Sequence, residues 1–461
     1  MTDINSIKDL ELNSLTPFQK ELHEPGEFDE AIMTEHTDVF PVKTSWKSSI
    51  YRELDVSTKH KKVVYHLEME SFDAAEKVIM MFQLPKLAVK KQFEGKIQMC
   101  WPKNLLHILY ETGDLCFDSD PRQTHTPESN TVFRNYFLER KRKHHLKTIG
   151  NRDHLTEWTD SLSADRINCK QQYYFSEHKC KSIPIFMCRK SKITFEYMFR
   201  LHLKDILRVR EFKNDVWVEI PFNSKYFLGV PTGSVLEQPK MRAKYTHLTD
   251  PEKNQRISES NGGIFYYDDF IYIPPGNPVS LDSVDILKLQ ANDPCKAIFI
   301  LPENIECSKN RDYCVYTDEG FSVIKSVQLL YQNKYYKLMT SDNRFLEDIL
   351  AEEFPACPYE KGTGGIPLTS KFKTVSADVG ITFSSDMNAS LIINIQNTDP
   401  KLNGSEVIEN TEEDDREKEV DNEEVEIKND KKKKKFLIHY LLMVTKKLEF
   451  DGEKCKKASE K

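Results

Sequence analysis

The tetrapeptides Phe82-Gln83-Leu84-Pro85 and Phe299-Ile300-Leu301-Pro302, about half the chain apart, each begin a stretch with the same order of predicted elements. Each tetrapeptide ends an apolar run at a proline, and a predicted hairpin and a helix-like segment follow it. A repeat of this length indicates two copies of one domain and not a solenoid of short units. Because the elements are mostly β, the sequence predicts two sandwiches or barrels in tandem.

The two copies agree element by element. The first copy continues with the apolar run Leu105–Tyr110, a turn at Thr112-Gly113, a strand at Leu115-Cys116-Phe117 and a helix over residues 132–147. The second copy continues with the strand Phe321–Leu330, a turn at Gln332-Asn333, a strand at Tyr335–Leu338 and a helix at Arg344–Leu350. Pro85 and Pro302 are therefore predicted to end equivalent strands, since proline cannot donate a hydrogen bond within a sheet.

Alternating and continuous apolar patterns predict further strands. Phe195–Leu203 places every second residue, an aromatic or leucine, on one face. Met241–Tyr245 is predicted to close the first domain, and Ser390–Ile395 and Phe436–Val444 are predicted to be the last two strands of the second. Thr249–Arg256 is typical of a short capped helix, with Pro251 in its first turn.

These patterns divide the chain into an N-terminal arm (residues 1–40), a first β domain (41–245), a connector (246–258) and a second β domain (259–461). The second domain contains a charged insertion at residues 401–435, an acidic block followed by five lysines. Its composition offers almost no apolar burial to offset the entropy of ordering, so the sequence predicts a disordered loop that is dispensable for folding.

Composition limits the classes of protein. Hydrophobic residues form 39% of the 461 residues and aromatic residues 11%, enough to fill two sandwich cores. The formal net charge of −7 argues against a nucleic-acid backbone as the main partner. The N-terminus lacks the pattern of a signal peptide, no run of about 18 apolar residues occurs, and the ten cysteines have no regular spacing. We therefore expect a reduced, intracellular site of synthesis with mostly buried thiols.

The densest group of metal-ligating residues is Cys169, His178, Cys180 and Cys188. Zinc sites normally show ligand pairs two to four residues apart, whereas only His178 and Cys180 lie that close. We predict that Cys169, Cys180 and Cys188 do not jointly hold a metal. No His-x-His pair, Gly-x-Ser-x-Gly elbow, glycine-rich phosphate loop or His-Glu-x-x-His helix occurs. The sequence thus predicts no catalytic, cofactor-binding or metal-binding residues, and a protein that is not an enzyme.

Three other segments have a plain and a functional interpretation. The basic runs Arg140–Lys143 and Lys431–Lys435 could be nuclear-localisation or anionic-surface patches. We favour a solvated helix end for the first and a counter-charge to the acidic block for the second. Gly362–Pro367 is predicted to be a loop and not a ligand cradle.

The order of the segments quoted above resembles that of the double jelly-roll major capsid proteins of nucleocytoplasmic large DNA viruses, virophages and polinton-like elements. The resemblance covers most of residues 60–455. It includes Phe82–Pro85, Leu105–Gly113 and the junction Lys244–Lys253, and the segments Phe354–Phe383 and Phe436–Gly452 are most similar to the asfarvirus branch.

The resemblance implies two eight-stranded antiparallel β-sandwiches with short helices in loops, and a structural role. Three subunits would form a pseudo-hexameric homotrimer, the capsomer of an icosahedral virion. Expected partners are further copies of the chain, minor capsid or penton proteins and an inner membrane layer. Synthesis in the host cytoplasm, with assembly there or in the nucleus, is also implied. A scaffold or minor capsid protein on the same fold, and a tandem β-sandwich that binds a ligand or carbohydrate, are the alternatives.

Overall fold

The computed structural model describes residues 49–138, 142–176, 181–259, 263–332, 334–340, 354–356, 361–372, 375, 379–384, 388–396 and 434–456. The N-terminal arm, most of the charged insertion and the predicted helix Arg344–Leu350 lie outside these residues. The described residues form mainly antiparallel sheets, joined by short helices.

The first sandwich consists of a four-stranded and a five-stranded sheet. The four-stranded sheet contains, in spatial order, β1 (Ser49–Glu53), β15 (Lys240–Thr246), β4 (Ala74–Leu84) and β10 (Asp165–Lys170). The five-stranded sheet contains β2 (Asp55–Lys59), β3 (Lys62–His66), β11 (Ile193–Phe199), β7 (Tyr110–Phe117) and β8 (Asp120–His125). Two small sheets flank them: β13 (Val216–Ile220), β12 (Arg208–Lys213) and β6 (Ile97–Cys100), and β14 (Phe227–Leu228), β5 (Leu87–Val89) and β9 (Ser161–Leu162).

The second sandwich follows the same plan. One sheet is ordered β16 (Ile264–Ile273), β27 (Lys435–Phe450), β19 (Ala291–Asn304) and β24 (Gly364–Pro367), with β17 (Val279–Ser280), β25 (Ile381–Phe383) and β28 (Cys455–Lys456) attached. The other is ordered β18 (Ser283–Lys288), β26 (Ala389–Ile395), β22 (Ile324–Tyr331) and β23 (Lys334–Thr340). A small hairpin joins β20 (Thr317–Asp318) to β21 (Phe321–Ser322).

Strand order shows that the two sandwiches are copies of one topology. In the first sheet of each, the opening strand pairs with the closing strand, which in turn pairs with a long strand from early in the unit: β1-β15-β4-β10 corresponds to β16-β27-β19-β24. In the second sheet, β3-β11-β7-β8 corresponds to β18-β26-β22-β23. Phe82 on β4 and Phe299 on β19 lie on corresponding strands, so the repeat predicted from the sequence is confirmed.

Period-two burial explains why these segments become strands. In β26 the alternate residues Ala389, Leu391, Ile393 and Ile395 are buried, and the residues between them are half-buried. In β11, Phe195 and Tyr197 point into the first core, where Tyr197 packs edge-on against Tyr65 of β3. One face of each sheet is thus covered by the other sheet, which is the arrangement of a sandwich.

The short helices lie in the connections. They are α1 (Leu105–Ile108), α2 (Pro127–Tyr136), α3 (Arg142–Thr148), α4 (Asp153–Thr156), α5 (Leu203–Ile206), α6 (Asp250–Glu259) and α7 (Ile305–Lys309). A reciprocal capping box of Thr126 and Ser129, with Pro127 at the first helical position, begins α2 five residues earlier than predicted. No helix in the described part of the chain is both long and apolar enough to cross a membrane.

The predicted hairpin around Gly113 is wrong. Leu105–Ile108 is the helix α1, and β7 runs straight through Gly113 and turns only at Asp118 and Ser119, which both have a positive φ. Gly113 lies opposite Tyr197 in the sheet, and a Cβ there would be 2.3 Å from the tyrosine ring. The glycine makes room for a ring of the neighbouring strand, as glycines in strands often do.

The prediction that a strand ends at Pro302 is also wrong, whereas the hairpin predicted at Gln332-Asn333 is confirmed. Leu84 ends β4 just before Pro85, but β19 continues through Pro302 to Asn304. Proline has no backbone N–H to donate to a neighbouring strand. Because β24 pairs only with Ala297–Ile300, no hydrogen bond to β24 is lost at Pro302. In contrast, β22 and β23 form the predicted hairpin, with Gln332 at positive φ in the turn.

Helix α6 connects the two sandwiches. Its side chains contact the first one, through Lys253 Nζ to Asp73 Oδ1 at 2.9 Å and Arg256 Nη1 to Ser182 Oγ at 3.1 Å. Thr249 donates to Glu252 from both its backbone and its hydroxyl, which caps the helix start. This placement supports, as a proposal, a connector at residues 246–258 that belongs structurally to the first unit.

Candidate assembly site

The two sandwiches share parts of their hydrophobic cores. Helix α2 comes from the first unit, yet its Val132 and Tyr136 belong to the core of the second. The Tyr136 ring lies 4.9 Å from that of Phe299 and 5.0 Å from that of Phe354, and its hydroxyl is 3.0 Å from Thr363 Oγ1. Helix α2 thus ties the first unit to the second.

The exchange is reciprocal. Phe265 and Tyr267 of β16, Leu448 and Phe450 of β27, and Cys455 of β28 all belong to the core of the first sandwich. The Tyr267 hydroxyl donates to the Arg122 carbonyl at 2.6 Å, and its ring lies 4.8 Å from that of Tyr174. Each core is therefore completed by residues of the other unit, so the two units form one block.

A polar cluster also spans this junction. His439 Nε2 lies 3.0 Å from Glu303 Oε2, its Nδ1 lies 2.8 Å from the Tyr272 hydroxyl, and Glu128 of α2 approaches the same Nδ1 at 3.9 Å. Burial opposes ionisation of Glu303, but hydrogen bonds from His439 and Ser308 outweigh it and hold its pKa below the usual value. The cluster joins α2, β16, β19 and β27.

Exposed apolar side chains gather on a few strands. On β18, Val284 is 55% and Ile286 64% exposed. Ile50 and Tyr51 on β1 and Val56 on β2 are about half exposed, as are Val216 and Val218 on β13. Strands β2 and β18 are also the outer strands of their sheets in the described structure. Strand edges with apolar side chains are surfaces on which another chain can pack.

Solved structures resemble this chain over more than nine-tenths of its length. PBCV-1 VP54, in a crystal structure fitted into a reconstruction of the virophage Sputnik, has a TM-score of 0.65 at 9% identity and covers 91% of this chain and 99% of its own. The Faustovirus major capsid protein has a TM-score of 0.62 at 7% identity and covers 98% and 99%. The Sputnik virophage structure has a TM-score of 0.54 at 8% identity and covers 94% and 92%.

The chain has the double jelly-roll fold. At these identities the likeness shows the fold and nothing more specific, and the strand order of the two sandwiches agrees with it. No protein-family model matches the chain, and a search of curated proteins finds no match. The predicted fold class, a tandem double jelly roll, is thus confirmed.

Two of the four candidate metal residues, Cys169 and Cys188, lie in the described part of the double jelly roll, and they have different neighbours. Cys169 lies on β10 with its sulfur near His107 and His145, whereas the Cys188 thiol donates to the Pro184 carbonyl. His178 and Cys180 lie outside the described residues, so the prediction that the three cysteines are not jointly coordinated stays a prediction. Nothing in the spacing of the sequence indicated that His107 and His145 would meet Cys169, because the three come from separate elements.

The described parts of two other segments, Gly362–Pro367 and the lysine run Lys431–Lys435, lie in the second jelly roll. Gly364–Pro367 is not a loop but the buried strand β24, paired with β19. Gly362, just before it, has φ +86°, and a Cβ there would lie 2.1 Å from the Tyr316 carbonyl oxygen. Of the lysine run, Lys434 Nζ lies 2.7 Å from both Asp318 Oδ1 and Glu319 Oε1. This lysine therefore pairs with acids of the β20–β21 hairpin.

Proposed function

We propose that this protein is a major capsid protein whose homotrimers form the pseudo-hexameric capsomers of an icosahedral DNA virus or virus-like element. The main support for this proposal is the pair of jelly rolls, which have the same strand order and share parts of their cores. The Faustovirus major capsid protein has this fold over almost its whole length. The role is structural and not catalytic.

The presence of two similar units in each chain supports a trimer. Three copies of a chain with two similar units provide six similar units around one axis, which is close to hexagonal. Such a ring uses two different surfaces of each chain, and the contacts close without leaving one unused. We propose that the outer strands β2, which exposes Val56, and β18, which exposes Val284 and Ile286, belong to these two surfaces. A permanent interface of this kind would bury more than about 2,000 Å² with an apolar centre.

Further partners and location follow from a capsid role. We propose that capsomers contact each other, minor capsid or penton proteins and an inner membrane layer. The net charge of −7 argues against nucleic acid as a direct partner. The protein would be made in the host cytoplasm, would assemble there or in the nucleus, and would end in the virion shell.

Sedimentation of the purified protein at micromolar concentration tests the trimer. We expect one species at three times the subunit mass of 53.9 kDa. The double variant Val284→Lys/Ile286→Lys should sediment as a smaller species with unchanged circular dichroism, because charges on β18 would be desolvated in an interface.

The matched control is Ile257→Lys on α6, an apolar side chain that is 47% exposed but lies on neither edge strand. It should leave the trimer intact. A wild-type monomer with intact β structure across the same concentrations would refute the proposal and favour a ligand-binding tandem sandwich.

A further inference from the structure

The outer face of the four-stranded sheet in the first jelly roll is rich in basic side chains. Successive residues of a strand point to opposite faces, and residues directly opposite each other on neighbouring strands share a face. The registers place five cations together: Lys77 on β4, Arg166 on β10, and Lys240, Arg242 and Lys244 on β15. The residues that alternate with them are buried in the first core: Val78, Met80 and Phe82 on β4, and Met241 and Ala243 on β15. We call the five cations the basic face.

The carboxylates on this side of the sheet do not balance the cations. Glu53 of β1 lies 3.0 Å from Lys240 Nζ and 3.8 Å from Arg242 Nη2, and Glu76 of β4 pairs with Lys244. One glutamate therefore serves two cations. Side-chain exposures of 68% for Lys240 and 50% for Arg242 leave both open to solvent.

The other two cations of the basic face have no carboxylate within ion-pair distance among the described residues. Lys77 Nζ lies 5.7 Å from the centre of the Tyr51 ring, a cation–π contact that does not neutralise the charge. Arg166 follows Asp165 on β10, but the Asp165 carboxylate pairs instead with Arg152 at 2.6 Å. The basic face thus carries an excess of positive charge in a chain whose net charge is −7.

The same chain contains a segment of opposite charge. Residues 406–426, which belong to the insertion between β26 and β27, include twelve acidic and two basic residues. Blocks of like charge repel themselves and commonly serve as interaction segments. The lysine run that follows is not wholly available as a counter-charge, because Lys434 Nζ already lies 2.7 Å from both Asp318 and Glu319.

We propose that the acidic block, residues 406–426, binds the basic face of the first jelly roll. The charges of the two surfaces are complementary, which favours and orients such a contact. An extended chain covers about 3.3 Å per residue, so the middle of the insertion can lie about 60 Å from Gln396 and Lys434, which flank it. That length reaches the basic face of the same copy or of an adjacent one.

The contact consists of many exposed ion pairs. Each contributes little on its own, so its strength depends on their number and falls with salt. Binding to an exposed face is compatible with an insertion that folding does not require. The contact involves neither β2 nor β18, and its test is therefore independent of the trimer.

Carbodiimide cross-linking of the full chain, followed by mass spectrometry of its peptides, tests the contact. The reagent joins a lysine amine to a carboxylate as an amide, and takes up the water that is lost as a urea. We expect Lys77 and Lys240 to be linked to acids of residues 406–426 at low salt. The yield should fall at least about fivefold in 1 M NaCl, where the Debye length is about 3 Å. The Lys240–Glu53 ion pair is an internal control for the reaction.

The double variant Arg166→Glu/Arg242→Glu removes two cations that the reagent cannot link and keeps both reactive lysines. It should lower the yield of these links at least about fivefold, because like charges would now face the acidic block. Lys91→Glu/Lys96→Glu is the matched control, since it makes the same change in net charge at two exposed residues outside the four strands. It should retain the wild-type yield.

Circular dichroism reports whether each variant is folded, and if the arginine variant is not, the salt dependence of the wild type decides. Absence of links to residues 406–426 at low salt, or a yield unchanged in 1 M NaCl, overturns the proposal. An unchanged yield in the folded arginine variant overturns it too. Vesicles containing phosphatidylserine test another occupant: binding that the arginine variant loses, without links to residues 406–426, would assign the basic face to anionic lipid instead.

Discussion

Gly113 shows how a single missing side chain determines packing within a sheet. It lies in the middle of β7 opposite Tyr197, whose hydroxyl is 2.7 Å from that of Tyr173 and 3.2 Å from Gln171 Oε1. The aromatic ring fills the space above the glycine. Tyr197 is fully buried and therefore has little room to move aside.

We predict that Gly113→Ala lowers the free energy of unfolding by about 1–3 kcal/mol, the usual cost of overpacking a core. Urea denaturation measures it. Gly276→Ala is the control, because a Cβ there meets nothing within 4 Å, and it should change stability by less than about 0.5 kcal/mol. Equal effects of the two substitutions would show that Tyr197 does not restrict the site.

Glu303 gives a prediction for acid stability. Its pKa is lowered in the folded protein from a usual value of 4.5. The carboxylate therefore stabilises the fold above the unfolded pKa, and this contribution is lost as the pH falls through the lower folded pKa. We expect Glu303→Gln to lose less stability than the wild type between about pH 5 and pH 3, as measured by urea denaturation.

The control for that measurement is Glu306→Gln, three residues away on α7, where the side chain is exposed. It should retain the pH dependence of the wild type. A Glu303→Gln protein with the full wild-type loss would mean that the bonds from His439 and Ser308 do not stabilise the carboxylate.

At the scale of elements, α2 is the part of the first jelly roll that the second depends on. We predict that Tyr136→Ala costs about 3–5 kcal/mol, as for other large buried aromatic residues. Tyr136→Phe removes only the contact with Thr363 and should cost about 1 kcal/mol.

Hydrogen exchange locates the effect. In Tyr136→Ala, amides of β19 and β24 in the second roll should exchange faster, because the Tyr136 ring packs against Phe299 on β19. Phe133→Ala is the control on the same helix, since Phe133 is only half-buried and is not a member of the second core. Faster exchange confined to the first roll would contradict the shared core.

At the scale of the whole molecule, the shared cores predict cooperative unfolding. Neither roll has a complete core without residues of the other, so separate unfolding would expose Tyr136 on one side and Tyr267 on the other. We expect calorimetry of the intact protein to show one transition with equal calorimetric and van't Hoff enthalpies per cooperative unit. Two well-separated transitions in the wild type would show that the rolls are independent.

The sequence by itself determined the fold class, the duplication and most strand positions. Alternation in β26 and the apolar run of β27 predict strands because a sheet with one covered face requires alternation, and one covered on both faces requires continuous apolar residues. The turn at Gln332 and the helix α6 were predicted from local signals of the same kind. These features depend on neighbours in the chain, so the sequence displays them.

Only the tertiary structure decided the rest, because those features depend on residues that are distant in sequence. The role of Gly113 depends on Tyr197 in another strand, and β19 can continue through Pro302 because β24 pairs only with Ala297–Ile300. Val132 and Tyr136 complete a core formed almost entirely from the other half of the chain. The meeting of His107, His145 and Cys169 follows from the packing of α1, α3 and β10, and no spacing along the chain indicates it.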